Sequence, residues 1–289
     1  MNTLIEGHVI ASYGRHYQVE IDQQILDCVT RGKQSNVTCG DWVKLKLTSP
    51  NQGVIESIIP RASLLYRSVE HRSKLIAANV DLAIVVVSPV PSYYDLLVNR
   101  CLIAAEAAGI DSLICMNKSD LGDIADKVYA QLSPYQALGH NVIRVSAKHD
   151  ISQLTPHLQG KTSVLVGQSG MGKSSLINAL LPEAAIATRD ISSALDSGKH
   201  TTTSATLYHL NADSHIIDSP GMQAFGLNHI RAAELDQLFA EFRPYIGHCK
   251  YNNCRHTHEP NCAVLTAHQA GKISDIRLAA YQEILRGLA

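Results

Sequence analysis

The pattern with the most specific chemistry is a glycine-rich stretch that ends in a lysine and two serines. Its residues fit G-x-x-x-x-G-K-[ST], in which glycines allow a turn whose backbone N–H groups surround a phosphate. Lys173 would neutralise phosphate oxygens and act in catalysis, and the Ser174 hydroxyl would bind Mg²⁺. A structural glycine turn is the plain alternative. The predicted phosphate-binding residues are Gly167, Gln168, Ser169, Gly170, Met171, Gly172, Lys173, Ser174 and Ser175.

A second polar group directly follows an apolar run at 113–116 and consists of Asn117, Lys118, Ser119 and Asp120. A carboxylate at the end of a strand can accept hydrogen bonds from the N1–H and N2–H groups of guanine, whereas adenine would leave it unpaired. Asn117 can hold the ring, and the Lys118 stem can cover its face. N-K-x-D patterns recur by accident, so this one gains its meaning from the phosphate loop in the same chain. Together they predict a guanine-nucleotide site.

Two further stretches extend the predicted site. The first closes an apolar run at 142–145, would offer a backbone amide to the guanine O6 atom, and consists of Ser146, Ala147 and Lys148. Asp218 and Gly221 fit D-x-x-G, in which the carboxylate can reach the shell of Mg²⁺ and the glycine amide can bond the γ-phosphate.

The polar stretch at 198–203 lies between the phosphate loop and D-x-x-G. Thr201 and Thr202 are predicted to face the nucleotide, and Thr202 is the predicted second hydroxyl ligand of Mg²⁺. Met222 stands where Ras-like enzymes carry a water-orienting glutamine, a task that a thioether cannot perform. We therefore expect slow intrinsic hydrolysis, with the water-orienting group supplied by a partner or by His200.

The order of these patterns is rotated. GTPases ordinarily carry the phosphate loop, the threonine, D-x-x-G, N-K-x-D and S-A-K in that order, whereas here the last two come first. Such a circular permutation is tolerable because domain termini often lie close together on the surface. It also leads D-x-x-G straight into the last segment of the chain, so the nucleotide state could move that segment.

A cysteine–histidine cluster follows, with the spacing C-x4-C-x-H-x5-C. Three thiolates and one imidazole suit a closed, tetrahedral, structural Zn²⁺ site. The thiolates come from Cys249, Cys254 and Cys262, while the spacing leaves His256, His258 and His248 open as the fourth ligand. An incidental cluster is the alternative, because the chain has 14 histidines.

The elements that must position these residues differ along the chain. Five short alternating runs within residues 1–62 predict a small antiparallel barrel of the OB type, a fold whose open face often takes nucleic acid but which can also serve only for docking. From about residue 75, near-continuous apolar runs alternate with helical stretches, which predicts a parallel sheet covered by helices. From about residue 228 the chain is expected to be helical and polar.

The permuted motifs, the preceding barrel and the trailing cysteine–histidine cluster together resemble the bacterial ribosome small-subunit-dependent GTPase A family. The resemblance implies an all-β OB-type barrel at 1–62, a circularly permuted α/β P-loop GTPase domain at 63–227 and a mostly α zinc-binding domain at 228–289. It also implies His256 as the fourth zinc ligand. The implied function is late maturation of the small (30S) ribosomal subunit, with contacts to 16S rRNA and subunit-stimulated hydrolysis of GTP to GDP.

Composition sets the remaining expectations. The chain has 289 residues with 45% hydrophobic and 18% charged residues, which excludes a disordered or collagen-like protein. A net charge of −1 shows no large basic field, and the first 62 residues carry six basic and six acidic residues, so rRNA contact must rest on local patches. No apolar run is long enough for a membrane span. We expect a cytoplasmic monomer with reduced thiols.

Two other functions share these motifs. A GTP-dependent binding switch acting on a non-ribosomal RNA or protein would carry every nucleotide motif. A zinc-stabilised RNA-binding protein with a vestigial nucleotide site is disfavoured because the phosphate loop is intact. An ATP-dependent kinase is disfavoured by Asn117 and Asp120.

Overall fold

The computed structural model describes residues 4–32, 36–69, 72–181, 204–221 and 225–288. Its first strands are β1 (Ile5–Tyr13), β2 (His16–Ile21), β3 (Gln24–Thr30), β4 (Trp42–Ser49) and β5 (Gln52–Ile58). They close into a ring because β1 pairs with both β2 and β4, and β3 pairs in parallel with β5. Alternate side chains point inward, as the sequence pattern predicts. The buried interior contains Val9, Tyr17, Val19, Leu26, Cys28, Val37, Val43, Leu45 and Ile55.

A hairpin that the sequence analysis missed follows the barrel. Strands β6 (Leu64–Val69) and β7 (Arg72–Ala78) form a separate two-stranded sheet, and Ser68 of β6 also makes a parallel bridge with Leu227. Gly40 lies against β7 with φ of +88°, and a Cβ atom there would be 2.2 Å from the Ala78 carbonyl oxygen. The barrel and the hairpin therefore touch backbone to backbone at a position that only glycine fits.

The central sheet contains β8 (Leu82–Val87), β9 (Asp111–Met116), β10 (Asn141–Arg144), β11 (Thr162–Val166), β12 (Ala205–His209) and β13 (His215–Asp218). Their order is β10-β9-β8-β11-β13-β12, and every neighbouring pair is parallel except β12 with β13. All six residues of β8 are buried. Helices on both faces account for this burial and for the apolar runs in the sequence. These helices are α1 (Asp95–Ala107), α2 (Asp123–Gln131), α3 (Ser133–Ala137), α4 (Thr155–Leu158) and α5 (Lys173–Leu180).

The barrel continues the central sheet. Ala11 and Ser12 of β1 pair antiparallel with Thr206 and Ala205 of β12, so the strands form one sheet of eleven. The barrel is thus hydrogen-bonded to β12, whose antiparallel neighbour β13 ends at Asp218.

The last segment begins with two 3₁₀ turns, Leu235–Leu238 and Arg243–Tyr245, and ends with α6 (Ala263–Gln269) and α7 (Asp275–Gly287). The helical character expected from about residue 228 thus takes the form of short turns until α6. Among the described helices, none has the length and apolar character to cross a membrane. The predicted domain limits at 62 and 227 stay predictions.

A buried polar network joins α7 to α1. Arg277, which is 3% exposed, donates to the Glu241 carboxylate through Nε at 2.5 Å and Nη2 at 3.2 Å. Its Nη1 atom donates to Asn99 Oδ1 of α1 at 2.6 Å. The Asn99 amide donates in turn to the Tyr135 hydroxyl at 2.9 Å. This network fixes the last segment on the helical face of the central sheet.

Candidate nucleotide and metal sites

The predicted nucleotide residues meet at one edge of the central sheet. Gly167 follows β11, Asn117 follows β9, and Asp218 ends β13. Parallel strands present their carboxyl ends at the same edge, and ligands of open α/β sheets bind in the crevice outside those ends. Residues that are far apart in sequence therefore become neighbours.

The phosphate loop needs glycine at two positions. Gly167 has φ of +139°, and a Cβ atom there would be 2.5 Å from the Val86 carbonyl oxygen. Gly172 has φ of +91°, and its Cβ would be 2.3 Å from Nδ2 of Asn117. The loop is thus pressed against β8 and against the residue that follows β9, an approach that any side chain would block.

Lys173 is the first residue of α5 and is 7% exposed. Its Nζ atom donates to the carbonyl oxygens of Gly167 at 3.1 Å and Gln168 at 3.2 Å. Burial lowers the pKa of Lys173, and the charge of Asp218 opposes that shift. The structure therefore holds a cationic group inside the curve of the loop.

A hydroxyl group and a carboxylate group meet at the start of α5. The Ser174 hydroxyl donates to Oδ2 of Asp218 at 3.1 Å, and Asp218 is 5% exposed. A hydroxyl and a carboxylate are hard oxygen donors of the kind that Mg²⁺ prefers, so this pair fits the predicted magnesium site. Gly221 lies against Ser169, whose Cα would be 3.0 Å from a Cβ atom at Gly221.

Asn117 connects three of the predicted motifs. Its Oδ1 atom accepts from the backbone N–H of Ala147 at 3.0 Å, and its Nδ2 atom donates to the Met171 carbonyl at 3.0 Å. It is 1% exposed. Asn117 thus fixes the phosphate loop and the S-A-K stretch relative to each other.

Lys118 covers the same edge from outside. It lies in the left-handed region with φ of +62°, and its Nζ donates to the carbonyls of Val90 at 2.5 Å and Gly170 at 2.8 Å. Burial, followed by the nearby charge of Lys148, lowers the pKa of Lys118. The neighbouring Ser119 donates its backbone N–H to the Val145 carbonyl at 3.0 Å.

Asp120 is exposed, and its Oδ1 atom accepts from the Ser146 hydroxyl at 2.7 Å. This hydrogen bond is the main cause of the lowered pKa of Asp120. The Ser146 hydroxyl also accepts from the backbone N–H of Lys148 at 3.3 Å. The result is an ionised carboxylate that is aimed by its neighbour and open at the sheet edge.

Some predicted residues are not in this cluster. Ser175 is exposed on α5. Three predicted residues and the methionine in the glutamine position lie outside the described residues, namely His200, Thr201, Thr202 and Met222.

One contact with the loop was missed by sequence reasoning. The Ser88 hydroxyl, just after β8, donates to Val90 O at 3.2 Å and lies 3.4 Å from the sulfur of Met171. Pro91 packs beside Gly170. No motif marks this segment; its only signal is a serine at the end of a buried strand.

The four residues predicted to bind zinc also converge. Their ligand atoms all lie within 4.8 Å of one another, and they are Cys249, Cys254, His256 and Cys262. Sγ of Cys249 is 3.8 Å from Sγ of Cys262 and 3.6 Å from Nδ1 of His256. Ligands of a tetrahedral zinc ion lie about 3.6–3.8 Å apart, given usual zinc–ligand distances. The cluster could therefore hold zinc.

The surrounding backbone supports charged sulfur at this cluster. The Ala263 N–H points to Cys249 Sγ at 3.4 Å, and the Leu265 N–H points to Cys262 Sγ at 3.5 Å. Burial raises the pKa of Cys262, whereas the Leu265 N–H and the position of this residue at the N-terminus of α6 act in the opposite direction. His248 and His258 are exposed and outside the cluster.

The permuted sheet and the site on its edge define a circularly permuted P-loop GTPase. The family model of the RsgA GTPase matches residues 58–228. The chain belongs to the RsgA GTPase family and is a GTP-hydrolysing enzyme.

Similar proteins match over nearly the whole chain. "Small ribosomal subunit biogenesis GTPase RsgA" of Nitrosospira multiformis is 50% identical and covers 98% of this chain and 91% of its own length. The protein of the same description from Bordetella pertussis is 47% identical, with 97% and 95% covered. The crystal structure of YjeQ from Thermotoga maritima has a TM-score of 0.74 at 28% identity and 99% coverage of both chains. YloQ, described as a circularly permuted GTPase, has a TM-score of 0.69 at 30% identity, with 99% and 95% covered.

Proposed function

We propose that this GTPase binds the small ribosomal subunit and assists its late maturation, hydrolysing GTP to GDP and phosphate. One observation carries the proposal: relatives described as small ribosomal subunit biogenesis GTPases match 97–98% of the chain, so the likeness includes the barrel and the cysteine–histidine segment. A nucleotide switch that shared only the GTPase domain would not match over these flanking segments. We further infer a cytoplasmic protein that contacts 16S rRNA, because its proposed partner is the assembling subunit, and we propose that it acts as a monomer.

The loop residues are proposed to hold the phosphates. Lys173, already inside the curve of the loop, would exchange its carbonyl partners for β- and γ-phosphate oxygens. Mg²⁺ would be held by Ser174 and Thr202 with Asp218 close by, and it would supply positive charge beside the phosphates. Gly221 would offer its amide to the γ-phosphate, because its backbone already lies against Ser169.

The other end of the edge is proposed to read guanine. Asp120 would accept from N1–H and N2–H, since its carboxylate is ionised and aimed by Ser146. The stretch at 146–148 would present a backbone amide to O6. Asn117 and Lys118 hold this end to the phosphate loop, so the base and phosphate subsites keep a fixed separation.

Hydrolysis is proposed to depend on the ribosomal subunit. The methionine at position 222 cannot orient a water molecule, and His200 is the candidate within the chain. Groups supplied in trans accelerate other GTPases by roughly 10³–10⁵. We therefore expect slow turnover by the protein alone and a stimulation of at least tens of fold by 30S subunits.

The test compares GTP turnover with purified 30S subunits, with 50S subunits and with neither. Co-sedimentation with 30S subunits, in a non-hydrolysable GTP analogue and in GDP, measures whether binding depends on the nucleotide. The expected result is 30S-specific stimulation and analogue-dependent binding. Fast turnover that 30S leaves unchanged, or an absence of 30S binding in either nucleotide, would reject the proposal in favour of a non-ribosomal switch.

A further inference from the structure

The His256 ring in the cysteine cluster has both nitrogens engaged. Nδ1 faces the sulfur of Cys262 at 3.2 Å and of Cys249 at 3.6 Å. On the opposite side of the ring, Nε2 is 3.4 Å from Oδ2 of Asp236. An imidazole that ligates a metal through one nitrogen must carry its proton on the other, and a carboxylate beside that proton selects this tautomer.

The ring cannot turn freely to exchange these roles. His256 is 3% exposed, and its ring packs near those of Phe242 and Tyr281, with centroid distances of 6.3 and 6.1 Å. Its backbone lies in the left-handed region with φ of +56°. Which nitrogen faces the sulfurs is therefore fixed by the fold, and the position of the proton is left to the group facing Nε2.

Asp236 is itself held in place. Its Oδ1 atom accepts from the backbone N–H of Gln237 at 2.8 Å, which leaves Oδ2 directed at His256. It lies on the 3₁₀ turn Leu235–Leu238, and Leu235 is fully buried. The carboxylate thus reaches the cluster from an element that lies 20 residues before the histidine.

We propose that Asp236 is a positioning residue of the zinc site: its carboxylate accepts the Nε2 proton of His256 and keeps the Nδ1 lone pair toward the metal. The inference rests on zinc binding by the cysteine cluster. It makes the site a five-residue assembly with a carboxylate that no cysteine–histidine spacing would reveal. Partners of this kind typically change metal affinity by about 10–100-fold.

The experiment measures the zinc dissociation constant of the full-length protein by competition with a chromophoric chelator. Asp236→Ala removes the acceptor but leaves the tautomer free, so affinity should fall about 10-fold. Asp236→Asn keeps the shape but offers one accepting oxygen where aspartate offers two. If that oxygen accepts from the Gln237 N–H, the new N–H₂ group faces the Nε2–H of His256, and two donors meet. Relief requires the tautomer with its proton on Nδ1, so Asp236→Asn should lose more, about 100-fold.

A purely structural role predicts the reverse order, because asparagine preserves the turn better than alanine. Glu234→Gln is the matched control, since Glu234 is exposed and pairs only with Arg231 among the described contacts; its zinc affinity should equal that of wild type. In ¹H–¹⁵N spectra of the zinc-loaded protein, the Nε2 proton of His256 should resonate further downfield in wild type than in Asp236→Ala, because only the wild type hydrogen-bonds it to a carboxylate.

Each outcome is decisive. Zinc affinity of Asp236→Asn within twofold of wild type, or above that of Asp236→Ala, would refute the role of Asp236 while leaving zinc binding intact. A wild-type protein that binds no zinc would instead refute the metal site itself, and the role of Asp236 with it.

Discussion

The two sites of this protein are assembled in opposite ways. The nucleotide edge gathers residues between Asn117 and Gly221 through the order of parallel strands. The cysteine cluster draws its four candidate zinc ligands from the single stretch between Cys249 and Cys262. A site formed at the ends of neighbouring strands tolerates circular permutation of the chain, because the same strand ends still meet. A site made by one loop depends instead on its own spacing and would need its metal to close it.

The sharpest separation of the two sites should come from Cys254→Ala. Structural zinc binding contributes about 10–16 kcal/mol in small zinc domains, so this variant should lose its zinc in metal analysis and become sensitive to proteolysis within 228–289. GTP affinity should stay within about twofold, because the nucleotide edge uses none of these residues. Cys28→Ala, which removes a buried thiol of the barrel, should keep its zinc. A large loss of GTP affinity in Cys254→Ala would show that the two sites fold as one.

Lys173→Ala tests the nucleotide edge. Removing one group that stabilises developing charge at a reaction centre costs on the order of 10³-fold in rate, so single-turnover GTP hydrolysis should fall by about that factor. Zinc content should not change. Lys161→Ala is the control, because Lys161 pairs with Asp111 at the other end of the strands. Hydrolysis within tenfold of wild type would remove Lys173 from the proposed machinery.

Arg277→Met probes the contact between the two regions. The change leaves Glu241 buried without its partner, and breaking such a pair typically costs about 3–5 kcal/mol. Urea unfolding should show this loss, and the segment after 228 should become accessible to protease first. Arg286→Met lies on the same helix with a side chain that is 74% exposed, so it should cost little. Equal stability of the two variants would show that the network does not hold the regions together.

The smallest expected effect is a change of base preference. Asp120→Asn should weaken GTP binding by roughly 10–100-fold, since hydrogen bonds to charged groups contribute about 1.5–3 kcal/mol. Binding of xanthosine triphosphate should improve, because xanthine offers an acceptor where guanine offers N2–H₂. The exposed neighbour Asp123, changed to Asn, should bind GTP as wild type does. Unchanged GTP selectivity in Asp120→Asn would place the base elsewhere.

Sequence reasoning succeeded where periodicity or a motif carries the signal. The five barrel strands lie within the predicted range 1–62, and β9 and β10 lie within two residues of the apolar runs at 113–116 and 142–145, because alternation and buried runs follow from which faces are covered. The convergence of the nucleotide residues followed from strand order. The hairpin of β6 and β7 was missed because its pattern is irregular.

Side-chain contacts that leave no pattern in the sequence were also not predicted. Arg277 and Asn99 are 178 positions apart, and Asp236 and His256 are 20 apart. Each pair meets only because separately folded elements pack together, so its partners leave no fixed spacing in the sequence. A charged residue that is expected on a helix surface gives no warning that it is buried.

The rotated strand order also sets the order in which the residues of the nucleotide site emerge from the ribosome while this protein is synthesised. Strands β8, β9 and β10 emerge with α1 to α3 before the phosphate loop exists, and the residues proposed to read guanine directly follow β9 and β10. β8 then has one edge without its final neighbour, since β11 is made later and inserts beside it. In an unpermuted relative the phosphate loop comes first. The strand ends proposed to read guanine are therefore synthesised before the phosphate loop, and the strands that follow that loop complete the sheet.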